Sequence, residues 1–119
     1  MPSKRATPEI QFRLRITKGD AIAVGPGKIK LLEAIDKAGS LTAAAKNLGM
    51  SYRRAWLLID TMNRCFREPV VATAVGGDHG GASLLTKHGR EVIERYRHAE
   101  ATAQSAGKRD LEALVDLLR

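Results

Sequence analysis

The sequence predicts one α+β domain that is mostly helical. Its 119 residues, 44% of them hydrophobic, are enough for a single hydrophobic core. Apolar residues recur every three or four positions over several long segments, which indicates helices. Near the amino terminus they alternate with polar residues instead, and a period of two indicates a strand.

The amino-terminal part predicts a polar arm followed by a hairpin. Residues 1–9 contain two prolines and two cations and are expected to form a flexible basic arm. Apolar and polar side chains alternate over residues 10–17, which predicts a strand there. A Lys18-Gly19-Asp20 turn then allows Ala21–Val24 to pair back as a second strand.

Three helices are predicted next, because each segment with helical apolar spacing lies between a capping residue and a helix-breaking residue. The first starts near Pro26 and stops at Gly39. Ser40 can cap a short helix over residues 41–48. Ser51 can cap a third helix that is expected to run to about Glu68, since Pro69 prevents continuation.

A hairpin and a long helix complete the predicted domain, which spans residues 10–106. The β-branched and apolar stretch at 70–75, a glycine-rich turn at 76–81 and residues 82–85 indicate the hairpin. Thr86 can cap the long helix, whose expected apolar stripe ends at Ala99 and Ala103. Residues 107–119 form a separate amphipathic tail helix and a candidate dimer element.

The segment from Ser40 to Phe66 carries the functional signal, because it meets the requirements of a helix-turn-helix. Ala44 and Ala45 permit close helix approach, and Gly49 permits a tight turn. The inner face of the third helix is apolar. With the hairpin that follows, the pattern predicts a winged helix-turn-helix, and an ordinary helical corner is the alternative.

The outer side of the third helix predicts contact with DNA. Arginine can bond bidentately to guanine, and hydroxyl groups suit phosphate oxygens. Trp56 is expected to pack under the hairpin rather than to stack on a base. Gly80 and Gly81 at the hairpin tip could offer backbone amides to the DNA. The predicted DNA-binding residues are Thr42, Ser51, Tyr52, Arg53, Arg54, Arg64, Gly80 and Gly81.

Charge and composition support a nucleic-acid partner and give little support to catalysis. Residues 1–66 hold 12 Lys and Arg against 5 Asp and Glu, so the excess positive charge is localised. The three histidines lack metal-ligand spacing, and no catalytic or cofactor motif is found, so an enzyme is not expected. The single cysteine, Cys65, favours a cytoplasmic protein, and no apolar run is long enough to span a membrane.

Several sequence strings resemble the amino-terminal DNA-binding domain of the molybdate-dependent transcriptional regulator (ModE) family, with a helix-turn-helix similar to the LysR type. The resemblance covers residues of about 26–105. It implies a winged helix, DNA contact through residues 51–54 and the wing, and a dimer. The strings are GPGKIKLL at 25–32, AGSLTAAA at 38–45, MSYRRAW at 50–56, GGDHGGA at 76–82 and LTKHG at 85–89.

One departure from the family affects the expected ligand. In the family, separate carboxy-terminal β-barrel domains hold molybdate, whereas this chain stops at Arg119. We therefore expect a standalone, homodimeric, sequence-specific regulator of transcription that binds double-stranded DNA. Molybdate binding is not expected, and a separate sensor partner remains open. The alternatives are a winged-helix module for protein–protein interaction and a small molybdenum-related ligand-binding protein.

Overall fold

A computed structural model describes residues 6–73 and 82–119 and shows five helices and two antiparallel strand pairs in this part of the chain. Residues 1–5 of the predicted arm at 1–9 and the glycine-rich hairpin tip lie outside the described residues. The elements are β1 (Ile16–Lys18), β2 (Ala21–Val24), α1 (Pro26–Ala38), α2 (Leu41–Asn47), α3 (Tyr52–Cys65), β3 (Val71–Thr73), β4 (Ser83–Leu85), α4 (Lys87–Ala106) and α5 (Lys108–Val115).

Most predicted helix ends are confirmed by their caps. Gly39 ends α1 with a φ of 71°. The hydroxyls of Ser40, Ser51 and Thr86 each accept a backbone hydrogen bond at the start of α2, α3 and α4. These residues occupy the N-cap position of each helix, because their short side chains can accept from an amide of the first turn that has no backbone partner.

The predicted strand over residues 10–17 is wrong for most of its length, since β1 begins only at Ile16. Its partner β2 has four residues, and Gly25 leads directly into α1, so the chain before Ile16 has no strand to pair with. That segment instead lies beside α4. The Leu14 carbonyl accepts a hydrogen bond of 2.8 Å from the Tyr96 hydroxyl.

The third helix is also shorter than predicted, because α3 ends at Cys65 rather than near Glu68. Phe66 is extended, with ψ at 152°, and turns the chain toward β3. The Asn63 side chain then accepts from the Val70 amide at 2.8 Å and donates to the Val71 carbonyl at 3.1 Å. Because both valines are buried against the core, the helix ends before the chain reaches Pro69.

The core is aliphatic and lies where α1, α2 and α3 meet the β3–β4 pair and the first half of α4. On α4, Tyr96 is buried as expected, but Ala99 and Ala103 are exposed, contrary to the predicted stripe. The core is too small to reach the second half of α4. The largest fully buried side chains are Ile29, Leu31, Leu32, Ile35, Met62 and Val70.

Candidate nucleic-acid interface

The corner between α2 and α3 is built from small residues, as the sequence predicts. Ala44 and Ala45 are 0% and 2% exposed, which lets the two helices approach closely. Gly49 has a φ of 66°, a left-handed conformation that side chains with a Cβ rarely adopt. The turn therefore fixes α3 against α2 at the surface of the domain.

Helix α3 divides cleanly into a core side and a solvent side. Ala55, Ile59 and Met62 are buried, and the residues on the opposite side follow a spacing of i, i+4, i+7 and i+11. We call this stripe the α3 outer face. It consists of Arg53, Leu57, Asp60 and Arg64.

Aromatic side chains flank the α3 outer face. Tyr52 is 54% exposed and Trp56 is 47% exposed. That Trp56 packs under the hairpin stays a prediction, because residues 74–81 of the hairpin lie outside the described residues; nearly half of the Trp56 surface is open to solvent. Its ring lies one helical turn after Tyr52, so both aromatics are available to a partner on this side.

Three exposed cations of the helix-turn-helix are free of ion pairs with the described residues. Within residues 6–73 and 82–119, Arg53, Arg54 and Lys46 have no carboxylate oxygen within 4.0 Å. Along α4 the pattern is reversed. Guanidinium nitrogens there lie 2.9, 2.7 and 2.6 Å from carboxylate oxygens in the pairs Arg90–Asp36, Arg95–Glu91 and Arg97–Glu33.

Arg90 and Arg97 thus join α4 to α1, whereas the Arg95 pair lies within α4. Hydrogen bonds from Arg97 to Glu33, and a further one to Glu100, raise the pKa of Arg97 above its ordinary value despite partial burial. Lys28 is nearly buried and donates to the Ile22 carbonyl, and burial lowers its pKa. Lys46, Arg53 and Arg54 of α2 and α3 are exposed and are among the described cations that remain open to a polyanion.

The predicted site residues fall into three groups. Thr42 and the residues from Ser51 to Arg54 are exposed around the amino-terminal ends of α2 and α3. Arg64 is exposed at the last turn of α3, 3.1 Å from Asp60. Gly80 and Gly81 lie outside the described residues.

Sequence reasoning missed Lys46 and Asp60 as members of this surface. Lys46 is exposed in the last turn of α2, and Asp60 lies in the middle of the α3 outer face. The helical spacing from Arg53 could have found Asp60, because seven residues return the chain to the same side of a helix.

Catalytic or membrane features are not found in the part of the chain that the structure describes. No group of three or more His, Cys, Asp or Glu side chains could hold a metal ion among those residues. Cys65 is half-buried rather than fully buried. Among the described helices none is long and apolar enough to cross a membrane.

Comparison with known proteins finds sequence relatives of this chain. No family model matches the chain. It is 41% identical over 105 residues, 88% of its length, to the molybdenum transport protein ModE of Azotobacter vinelandii. It is 39% identical over 71 residues, 60% of its length, to the DNA-binding transcriptional dual regulator ModE of Escherichia coli strain K12. This chain is homologous to one part of ModE. It spans 39% and 27% of those two relatives' lengths.

A solved structure confirms the fold class of the ModE-like domain. The DNA-binding domain of CbnR, a LysR-type protein crystallised with DNA, matches 74% of this chain and 95% of its own, with a TM-score of 0.55 and 23% identity. The winged helix-turn-helix predicted from the sequence is thereby confirmed. The names of these three proteins describe a transport protein, a transcriptional regulator and a DNA-binding domain, and none describes an enzyme.

Proposed function

We propose that the chain binds double-stranded DNA sequence-specifically and regulates transcription in the cytoplasm. The observation that carries the proposal is the α3 outer face. Arg53 and the adjacent Arg54 project without acidic partners, among the described residues, from a helix that small residues hold at the surface. Recognition helices use this amino-terminal end to reach base edges in the major groove.

Each group at this end has a distinct proposed role. The guanidinium groups of Arg53 and Arg54 can donate to guanine O6 and N7. The Tyr52 and Thr42 hydroxyls, with Lys46, suit phosphate oxygens. The Ser51 hydroxyl already accepts from the Arg54 amide at 3.1 Å, so its own hydrogen remains available to donate to a phosphate.

Two charge-matched double variants test the proposal. Changing both Arg53 and Arg54 to Ala removes two cations from α3, and changing Lys30 and Lys37 to Ala removes two exposed cations from α1. Binding to selected duplex DNA is measured by fluorescence anisotropy at several salt concentrations. Loss of a bidentate arginine–guanine contact costs about 1–3 kcal/mol, so the α3 variant should bind at least tenfold more weakly.

The controls separate DNA binding from folding. Both variants should melt within a few degrees of the wild type, since all four side chains are exposed. Equal loss of affinity in the two variants would contradict a recognition role for α3. Absence of binding by the wild type at low salt would favour the protein-interaction alternative.

We also infer that the partner of the carboxy-terminal region is a second copy of the chain. Leu114, Leu117 and Leu118 are 63%, 81% and 62% exposed, and residues 101–106 of α4 are exposed as well. Leu114 lies at the end of α5 (Lys108–Val115) and the other two leucines follow it, so the predicted tail helix over residues 107–119 is shorter than expected. Exposed apolar side chains concentrated in one short segment are typical of an interaction surface. A two-fold dimer would place two α3 helices against half-sites about 34–36 Å apart, the spacing of one DNA turn.

Sedimentation equilibrium tests the dimer. The wild type at micromolar concentration should show twice the chain mass of 12.9 kDa. Changing Leu114 and Leu117 to Asp should give a folded monomer, because neither side chain contributes to the domain's own core. A monomeric wild type would refute the inference, and a dimeric double variant would exclude the carboxy-terminal leucines as the interface.

A further inference from the structure

Asp60 is an unusual residue for a surface that meets DNA. It is the only acidic residue between Ser40 and Arg67, a segment that holds five cations, Lys46, Arg53, Arg54, Arg64 and Arg67. It also lies in the middle of the α3 outer face rather than at its margin. A carboxylate there repels phosphate groups, so simple attraction to the DNA backbone does not explain it.

The ion pair with Arg64 does not explain Asp60 either. Its nitrogen and oxygen atoms are 3.1 Å apart, but the side chains are 78% and 32% exposed. Exposed pairs at i,i+4 contribute little to stability because water and salt screen them. The pair is therefore weak enough to open when a better donor approaches the carboxylate.

We propose that Asp60 is a specificity-determining residue that accepts a hydrogen bond from the exocyclic amino group of a cytosine. This inference rests on the proposed DNA-binding function. Aspartate accepts from cytosine N4 in the major groove, where that amino group is the cytosine's distinguishing feature. The neighbouring Leu57 is 45% exposed and Trp56 47% exposed, so both shield this contact from water on DNA binding.

Helix geometry also places the cytosine relative to the base that Arg53 reads. Asp60 follows Arg53 by seven residues, which is about 10 Å along a helix. Base pairs are stacked about 3.4 Å apart along the duplex. With α3 lying along the groove, the two contacted base pairs are separated by about three steps.

The test compares base preferences of the wild type, D60N and E94Q in a selection from random duplex DNA with sequencing. Asparagine retains the shape of aspartate but favours adenine through N6 and N7. D60N should therefore move the preference at one position per half-site from cytosine to adenine. One mismatch typically changes affinity by about 5- to 150-fold. E94Q removes one exposed negative charge from α4 and should preserve every preference.

A second readout separates Asp60 from its ion-pair partner. D60N leaves Arg64 free to neutralise a phosphate, so non-cognate affinity should rise and the salt slope should steepen by about 0.9. R64A should weaken binding to all sequences similarly, make the slope shallower and retain the cytosine preference. These opposite shifts would not arise if the pair only stabilised the helix.

The outcomes distinguish this inference from the function on which it rests. If the wild type enriches no DNA, the proposed function fails. If the wild type enriches a site and D60N enriches the same bases, Asp60 does not determine specificity and the inference is overturned. A D60N protein that loses preference at every position and melts at a lower temperature also overturns it, since Asp60 would then act through the fold.

Discussion

Gly89 should not tolerate even a methyl group, although it lies in a helix. A Cβ built on Gly89 would overlap the Val70 carbonyl oxygen and lie 2.7 Å from Leu85 Cδ1. The Val70 carbonyl is fixed, because it accepts from the Thr86 amide at 3.0 Å. Glycine at this position thus lets the first turn of α4 pack directly on the β3–β4 pair.

Two opposing effects set how much a change of Gly89 to Ala alters the free energy of unfolding. Replacing glycine by alanine inside a helix ordinarily stabilises it by about 1 kcal/mol. Forcing a methyl group against a fixed backbone oxygen costs more, typically about 1–3 kcal/mol for overpacking alone and more where the backbone must move. We therefore expect G89A to have a free energy of unfolding about 2 kcal/mol below that of the wild type, which lowers the melting temperature by roughly 8 °C.

The assay is urea and thermal unfolding followed by far-ultraviolet circular dichroism, with G27A as the matched control. Gly27 lies in the first turn of α1 and has no atom within 4 Å of its built Cβ. G27A should be neutral or stabilising by up to about 1 kcal/mol. If G89A proves as stable as G27A, α4 does not pack on β3 as described.

Two further substitutions test contacts that the sequence did not reveal. N63A should destabilise the domain by about 1–3 kcal/mol, because it leaves the Val70 amide and the Val71 carbonyl without their partner. Urea unfolding should show a lower midpoint, and an unchanged midpoint would contradict these two hydrogen bonds. Y96F should lower the free energy of unfolding by about 1 kcal/mol at pH 7, because it removes the hydrogen bond to the Leu14 carbonyl. Burial raises the pKa of Tyr96 in the folded protein. The contribution of its phenol to the free energy of unfolding is therefore lost as the pH rises above the pKa of the unfolded chain, which is about 10. Thermal melts from pH 8 to 11 should therefore decline more steeply for the wild type than for Y96F, and parallel declines would contradict this assignment.

Local signals in the sequence were sufficient to predict the helices and their corner. Ser40, Ser51 and Thr86 cap helices by bonds within three residues of themselves, and Gly39 and Gly49 adopt left-handed conformations that their neighbours require. Such interactions depend on adjacent residues, so a sequence pattern contains them. The buried side of α3 was predictable for the same reason, since its period follows from helix geometry.

Strand lengths and the end of α3 were not predictable in the same way. Residues 10–15 alternate like a strand, yet β2 is too short to pair with them. Helix α3 ends before Pro69 because Asn63 anchors the following strand. The first outcome depends on the length of another element, and the second on burial of Val70 and Val71 against the core. Local periodicity encodes neither of them.

The sequence by itself determined the helix-turn-helix, its small-residue corner and the excess of positive charge in the first half of the chain. Only the tertiary structure decided which cations remain unpaired, because the α4 arginines find Glu33 and Asp36 on α1, over 50 residues away. It also decided that Trp56 and Asp60 share the solvent side with Arg53. Packing selects which side of a helix is buried, and the opposite side is what remains for a partner.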